Sequence, residues 1–300
     1  MRLAITHETR YSYSPAVQTA QHVAHLQPAN SPCQQVLSHS LHVEPAAFVQ
    51  HNVDAYCNHR AYWALTNPHK GLLVRAYSEL ETSVIAQATS SQSWESVREH
   101  FRYRGGHPAD VNNGFVFGSH HAPVHEAFLA YAQSSFTPGR ALMPAALELT
   151  ARMHSDFTYA SQSTDINTPA LQALQSKRGV CQDFAHILLA CLRSLGLPAR
   201  YVSGYLLTQP PPGQPRLVGS DASHAWASVY LPELASHACQ GWLDLDPTNN
   251  RCGLASPGLD YVRLAVGRDF ADVSPLRGVL QGGGEHTLDV AVTVAPLDEH

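Results

Sequence analysis

Charged residues are scarce in this sequence of 300 residues. Asp, Glu, Lys and Arg make up 14% of it, against about 25% in a typical soluble domain. The formal net charge is −5, so composition offers no basic surface for a nucleic acid or an anionic membrane. We therefore expect neither of them as a partner.

Long apolar runs are also missing. The opening residues, MRLAITHETRYSYS, hold no run long enough for a signal peptide, and no stretch approaches the roughly 18 apolar residues of a membrane span. The six cysteines lack close pairing, which suits a reducing compartment. The sequence thus predicts a cytoplasmic location. Cys239 and Cys252 flank the DPTN segment and could approach each other, but we expect no disulfide there.

Metal-binding patterns are absent as well. His22, His25, His120, His121 and His125 suggest a metal hypothesis, but zinc sites usually add Cys or carboxylates at defined spacing, and there is no C-x-x-C. There is also no calcium-type D-x-D-x-D loop. We expect no metal and no other cofactor.

The sequence does contain enough apolar material, 44% of its residues, for a sizeable core. Residues 1–88 predict strands, because alternating or apolar runs are bounded by Pro, Asn and Gly. These runs are Arg2–Thr9, Gln35–Val43, Ala61–Thr66 and Leu72–Val84. Helix-favouring stretches follow at Val97–Phe101, His125–Ser134, Leu142–Phe157 and Leu171–Gln175.

Towards the C-terminus the pattern returns to strands. They begin at Tyr261, with a turn at 282–284 before the last strand, Thr287–Val294. Three successive prolines at 210–212 predict an exposed loop over 209–215, beside a possible active-site cleft.

The most informative segment is KRGVCQDFAHILLACLRSLGLPAR, residues 177–200. One apolar face predicts a helix over Val180–Leu195, which Gly196 and Pro198 end. Cys181 then lies in the first turn, where unpaired backbone N–H groups and the helix dipole favour an anion. A lone cysteine is usually a small buried hydrophobe, and we expect that role for Cys191. His186 is expected on the helix surface, and Asp183 could cap the helix.

Two later segments carry partners for such a thiol. His224 opens the predicted strand HAWASVY, and GWLDLDP predicts another strand with Asp244 and Asp246 on one face. A Cys, a His and a carboxylate form a nucleophile, its base and the group that orients the base. Spacing alone does not choose between Asp244 and Asp246. Trp226 and Trp242 beside them are predicted to be core residues.

These motifs carry a resemblance. GVCQDFA, ARYVSGY, SHAWASVY and DPTN, in this order, resemble the transglutaminase-like superfamily over roughly residues 141–250. The resemblance implies a papain-like α+β fold, with a Cys-bearing helix packed on an antiparallel sheet. It also implies a catalytic triad of Cys181, His224 and Asp246, and so favours Asp246 over Asp244.

The flanks resemble one bacterial branch of this superfamily. ITHETRYSYSPAV, HLQP, HVEP and NPHKGLLVRAYSELE are similar to its β-rich N-terminal region. The resemblance divides the chain into an N-terminal domain at 1–88, a helical connection at 89–140, the catalytic core at 141–250 and a C-terminal β extension at 251–300. It also suggests that Arg268 and Asp269 reach the cleft, although a buried ion pair between them is an equal alternative. Cys57 departs from the Gly that relatives commonly carry there.

The implied activity is acyl transfer on amide bonds of a peptide or protein substrate, with the backbone N–H of Cys181 as the first oxyanion donor. No counterpart is evident for the oxyanion-assisting Trp that animal transglutaminases carry upstream of the nucleophile. We therefore expect a hydrolytic cysteine protease or amidase. The alternatives are a transglutaminase that uses an amine acceptor, an acyltransferase that uses a thioester donor, and a non-catalytic peptide-binding protein.

Overall fold

The computed structural model describes residues 1–102, 110–160, 168–208 and 222–297. Its strands are β1 Arg2–Ala24, β2 Gln34–Glu44, β3 Gln50–Val53, β4 His59–Leu65, β5 His69–Thr82, β6 Thr158–Tyr159, β7 Arg178–Gly179, β8 Ala199–Leu206, β9 Ser223–Tyr230, β10 Trp242–Asp246, β11 Arg251–Leu254, β12 Tyr261–Gly267, β13 Leu276–Gly282 and β14 Glu285–Pro296. Its α-helices are α1 Trp94–Phe101, α2 Glu126–Gln133, α3 Leu142–Asp156, α4 Ala170–Ser176, α5 Cys181–Ser194 and α6 Phe270–Val273.

Seven strands form an N-terminal sheet around the long strand β1. The order is β2-β5-β1-β4-β3, and β13 and β14 also pair with β1. The sequence predicted a strand only over Arg2–Thr9, because the residues after it are mixed polar and apolar. The strand continues to Ala24 because β1 changes partners: β5 and β14 flank its first half, and β4 and β13 flank its second half.

The C-terminal segment therefore supplies strands to both sheets. β11 and β12 belong to the second sheet, whereas β13 and β14 form a hairpin on β1. The predicted turn at 282–284 is confirmed, since Gly282 and Gly283 adopt φ values of +80° and +76°. Such left-handed values suit glycine because it has no Cβ.

A five-stranded core sheet carries the functional segments. Its order is β11-β10-β9-β8-β12, with every neighbouring pair antiparallel. The helix α5 packs on it and is confirmed within one residue of the predicted bounds. Its residues from Asp183 to Arg193 are all buried. Gly196, at φ +79°, ends it as expected.

The two sheets meet at β12, the edge strand of the core sheet. The Asn58 side chain donates to the Val266 carbonyl at 2.7 Å and accepts from the Val266 N–H at 2.8 Å. The Gln34 side chain makes the same pair of bonds to Arg263, each at 2.9 Å. These amides take the place of a neighbouring strand, so the N-terminal region satisfies an edge that would otherwise be open. The architecture is mixed α+β, as predicted.

The turn that presents Asn58 places Cys57 in a backbone conformation that favours glycine. Cys57 has φ +65°, and its N–H donates to the Asp54 carbonyl at 3.0 Å. This left-handed conformation costs a residue with a Cβ roughly 1–2 kcal/mol. Cys57 is exposed, so its side chain offsets little of that cost by packing. A Gly at this position would therefore relieve strain.

We expect Cys57→Gly to raise the free energy of unfolding by about 0.5–1 kcal/mol, after the larger chain entropy of unfolded Gly is subtracted. Urea denaturation followed by fluorescence measures the change. Cys57→Ala is the matched control, because it removes the thiol and keeps the Cβ. A Gly variant no more stable than the Ala variant would show that the turn is not strained.

Candidate active site

Cys181 is the first residue of α5 and therefore lies in the first turn of the helix, as predicted. Val180 precedes the helix with φ −113° and ψ 179°, and its N–H donates to Asp183 Oδ2 at 2.8 Å. Asp183 thus caps the helix that presents the thiol. A Cβ at Gly179 would lie 2.7 Å from Asp183 Oδ2, so only glycine leaves room for this cap. Cys181 is half-buried, and its thiol forms no disulfide.

His224 lies beside the thiol at the start of β9. Its Nε2 is 2.7 Å from Asp246 Oδ2, and Cys181 lies close enough to raise the pKa of His224. Burial acts to lower the pKa of His224, but the bonds and charges of Asp246 and Cys181 outweigh burial and raise it to about 10. The imidazole is therefore protonated at neutral pH, bonded to the Asp246 carboxylate and under the electrostatic influence of Cys181.

Asp246 is fully buried and surrounded by donors. Its Oδ2 accepts from His224, from the Tyr261 hydroxyl at 2.6 Å and from Asn249 Nδ2 at 2.8 Å. Its Oδ1 accepts from the N–H of Thr248 at 2.9 Å. Burial acts to raise the pKa of Asp246, but the hydrogen bonds and the charge of His224 lower it overall. Asp246 therefore stays ionised without contact with water.

Asp244 bonds other side chains of the core sheet. In the register of β9 with β10, Asp244 lies opposite Ser228, whereas Asp246 ends the strand near the start of β9. The carboxylate of Asp244 accepts from Trp226 Nε1 at 2.9 Å and from the Ser228 hydroxyl. The structure thus brings Cys181, His224 and Asp246 together, whereas Asp244 accepts from the indole N–H of Trp226.

The two tryptophans are core residues, as predicted. Trp226 stacks near His224, with ring centroids 6.0 Å apart, and Trp242 lies under the Arg200 guanidinium at 3.8 Å from its ring centroid. A Cβ at Gly204 would come within 2.6 Å of the Trp226 ring and 2.2 Å of the Val262 carbonyl. Gly204 is therefore required for the close approach of β8, β12 and this indole.

The expectation of a surface position for His186 is wrong. His186 is 3% exposed, stacks on His121 at 5.1 Å and accepts from the Phe270 N–H at 3.2 Å. Burial lowers the pKa of His186 to about 3, so its ring is neutral. It ties α5 to the start of α6. The helical periodicity gave no sign of this role, because the partners lie far away in sequence.

Arg268 and Asp269 do not form an ion pair with each other. Arg268 pairs with Asp272, with Nε 2.9 Å from Oδ2. Asp269 caps α6 through the N–H of Ala271 and also accepts from the N–H of His121. Arg268 and Asp269 thus stabilise the start of α6, which is the segment that His186 contacts.

Sequence reasoning missed two residues of the site. Asn249 belongs to the quoted DPTN motif, so its place beside Asp246 had a local signal. Tyr261 had none, because it opens a strand that only the fold brings back to Asp246.

The remaining candidates take other places. All six cysteines are free, and Cys191 is fully buried in the core, as predicted. Within the described ranges, no group of three or more His, Cys, Asp or Glu could hold a metal ion. No helix in the described part of the chain is long and apolar enough to cross a membrane. The predicted loop at 209–215 lies outside the described residues.

Comparisons with known proteins show which protein family the chain resembles in sequence and in fold. A family profile for the transglutaminase-like superfamily matches residues 130–247, and one for the bacterial transglutaminase-like N-terminal region matches residues 3–81. The fold is that of a crystal structure from Cytophaga hutchinsonii, proposed to be a cysteine protease, with a TM-score of 0.75. The two chains are 22% identical, and the match covers 100% of this chain and 92% of the other. This likeness shows the papain-like transglutaminase fold.

Sequence relatives extend over the whole chain. An uncharacterised protein of Mycobacterium tuberculosis is 38% identical over 304 residues, covering 99% of this chain and 93% of the relative. An uncharacterised protein of Mycobacterium leprae is 29% identical over 302 residues, covering 99% of each. A protein-glutamine gamma-glutamyltransferase of Pseudomonas aeruginosa is 38% identical over 74 residues, 24% of this chain and 10% of that enzyme. The chain belongs to the transglutaminase-like superfamily, in the group that carries the bacterial N-terminal region.

Proposed function

We propose that this protein is a thiol-dependent acyl-transfer enzyme acting on amide bonds of peptides or proteins, and that water resolves its acyl-enzyme. It would then be a cysteine protease or amidase. The observation that carries the proposal is the position of His224, which bonds the buried Asp246 at 2.7 Å and lies near enough to Cys181 for the two groups to interact electrostatically.

In the first half-reaction the thiolate sulfur of Cys181 attacks the substrate carbonyl carbon. The C=O electron pair moves to oxygen, and the backbone N–H of Cys181 at the start of α5 stabilises the oxyanion. The C–N bond then breaks, and the leaving nitrogen takes the proton of His224. The products are a thioester on Cys181 and a free amine or ammonia.

In the second half-reaction the neutral His224 takes a proton from water while the water oxygen attacks the thioester. The C–S bond breaks, the carboxylic acid leaves, and the thiolate–imidazolium pair is restored. Asp246 keeps its charge throughout and holds the imidazole ring in one orientation. Water is the preferred acceptor in this proposal because the sequence offers no counterpart for the upstream Trp of animal transglutaminases.

A second candidate is transglutamination, in which an amine attacks the same thioester. The 74-residue match to a protein-glutamine gamma-glutamyltransferase favours this reading. Both candidates share Cys181, His224 and Asp246 and differ only in the acceptor.

The test is mass spectrometry of a generic peptide pool after incubation with the protein, with and without cadaverine. Hydrolysis predicts cleaved or deamidated peptides, unchanged in amount by cadaverine. The products should vanish in Cys181→Ala and persist in Cys57→Ser, which removes an exposed thiol elsewhere. Cadaverine adducts on glutamine would instead establish transglutamination, and an unchanged pool in every arm would favour the non-catalytic binding protein.

A further inference from the structure

The carboxylate of Asp246 has a donor that lies outside the predicted triad. The hydroxyl of Tyr261 donates to Asp246 Oδ2 at 2.6 Å, the same oxygen that lies 2.7 Å from His224 Nε2. The third donor to this oxygen, Asn249 Nδ2, lies 2.8 Å away. Two fixed donors therefore determine how Oδ2 is presented to the imidazole.

The ring of Tyr261 is held from several sides. It is 2% exposed and meets Trp226 edge-to-face at 5.4 Å, with an interplanar angle of 88°. The guanidinium of Arg251 lies 4.8 Å from its ring centroid and is itself fixed by two bonds to Asp260. These contacts fix the position of the Tyr261 oxygen, whose hydroxyl donates to Asp246.

The strand that carries Tyr261 is also fixed. β12 is the edge of the core sheet, paired with β8 on one side. On the other side the amides of Asn58 and Gln34 bond to its backbone. The N-terminal region thus reaches the site through β12.

The hydroxyl is a permanent donor. Burial and the charge of Asp246 raise the pKa of Tyr261 well above 10, so the group stays protonated over the working range of the site. Its bond is one of those that lower the pKa of Asp246. Among the described residues, the other titratable or charged groups that act on Asp246 or feel its charge are His224 from β9 and Arg251 and Cys252 from β11.

We propose that Tyr261 is a positioning residue of this site: its hydroxyl holds the Asp246 carboxylate ionised and aimed at His224, and so maintains the thiolate–imidazolium pair of Cys181 and His224. This inference rests on the proposed function. Tyr261 touches no reacting atom and transfers no proton.

The test is the pH dependence of Cys181 alkylation by iodoacetamide, which needs no known substrate. Tyr261→Phe keeps the ring and removes only the hydroxyl. Without that donor the pKa of Asp246 rises, so the carboxylate becomes protonated at a higher pH. The His224 imidazolium then loses its anionic partner at that higher pH. We expect the acid limb of the profile to move up by roughly one pH unit. At a fixed pH on that limb we expect alkylation to fall by up to about tenfold, because one pKa unit corresponds to a factor of ten in protonation.

The matched control is Tyr205→Phe. The Tyr205 hydroxyl is also buried and bonded, to His7 Nδ1 at 2.9 Å, but it lies on β8 and contacts the N-terminal sheet. This variant should lose stability without moving the profile. Asn249→Ala, which removes the other fixed donor, should move the acid limb in the same direction as Tyr261→Phe.

The possible outcomes distinguish failure of the proposed function from failure of the role proposed for Tyr261. If wild-type Cys181 reacts at pH 6 no faster than the exposed Cys57, the proposed function fails and this inference fails with it. If wild-type Cys181 reacts faster but the profiles of Tyr261→Phe and wild type coincide, only the inference fails, and Tyr261 is a packing residue. A lowered melting temperature with an unmoved acid limb has the same meaning.

Discussion

The Asp246→Asn variant is expected to lose about four orders of magnitude in kcat for hydrolysis of p-nitrophenyl acetate, the loss found for the equivalent change in a Ser-His-Asp triad. Among the described residues, Asp246 is the carboxylate that bonds His224. An Asn removes that charge, and burial then lowers the pKa of His224 so that the imidazole is neutral and the thiol stays protonated.

The same variant also has a structural cost. Three donors converge on Oδ2, and the N–H of Thr248 donates to Oδ1. An amide NH2 accepts no hydrogen bond, so either orientation of Asn leaves at least one buried donor unpaired, at about 1–3 kcal/mol. Thermal denaturation measured beside the kinetics separates this loss of stability from the loss of rate.

Asp244→Asn is the matched control, two residues away on the same strand. Asp244 accepts from Trp226 Nε1 and from the Ser228 hydroxyl. The Asn oxygen can still accept from the indole, and the hydroxyl of Ser228 can rotate to accept from the new NH2. We expect a loss of rate below about tenfold. Equal losses in the two variants would show that Asp246 is not the residue that orients His224.

The parts of the site that the sequence predicts are those with local signals. The helix α5 follows from one apolar face and a Gly-x-Pro end, so Cys181 could be placed in its first turn. The strands of His224 and Asp246 follow from alternation that ends at a proline. The choice of Asp246 over Asp244 needed the family resemblance, because side-chain alternation puts both on one face. The structure supplies the physical reason, which is the register of β9 with β10.

The parts that the sequence does not predict depend on distant pairing. The length of β1 follows from four partner strands, two of which come from the last 25 residues of the described chain. His186 is buried because Phe270 and His121 cover it. Tyr261 reaches Asp246 because β12 pairs with β8, and no motif marks that return. In each case the contact joins segments whose local patterns are ordinary strands or helices.

The second prediction with a large expected effect is the reactivity of the Cys181 thiol. A protonated His224 beside Cys181 stabilises the thiolate, so Cys181 should react with iodoacetamide where ordinary thiols do not. At pH 6 an ordinary thiol is ionised to only about one part in 300. An imidazolium partner favours the thiolate form, although a stabilised thiolate is intrinsically less nucleophilic, because reactivity falls with basicity. We expect a net advantage of at least about tenfold.

The pH dependence follows from the raised pKa of His224. The imidazolium persists through neutral pH and loses its proton only as the pH rises towards about 10. The advantage of Cys181 is therefore expected at pH 6 and should shrink as the pH rises to 10, where His224 becomes neutral and other thiols ionise. In His224→Gln the advantage should be absent at every pH.

The most direct measurement of the central claim is the ratio of iodoacetamide labelling at Cys181 and at Cys57, read from peptide masses of the same sample at pH 6. Cys57 is the internal reference, because it is exposed and lies in a turn of the N-terminal region. We expect a ratio of at least about ten in wild type and near one in His224→Gln. A ratio of one or less in wild type would contradict a thiolate–imidazolium pair, and with it an acyl-transfer role for this site.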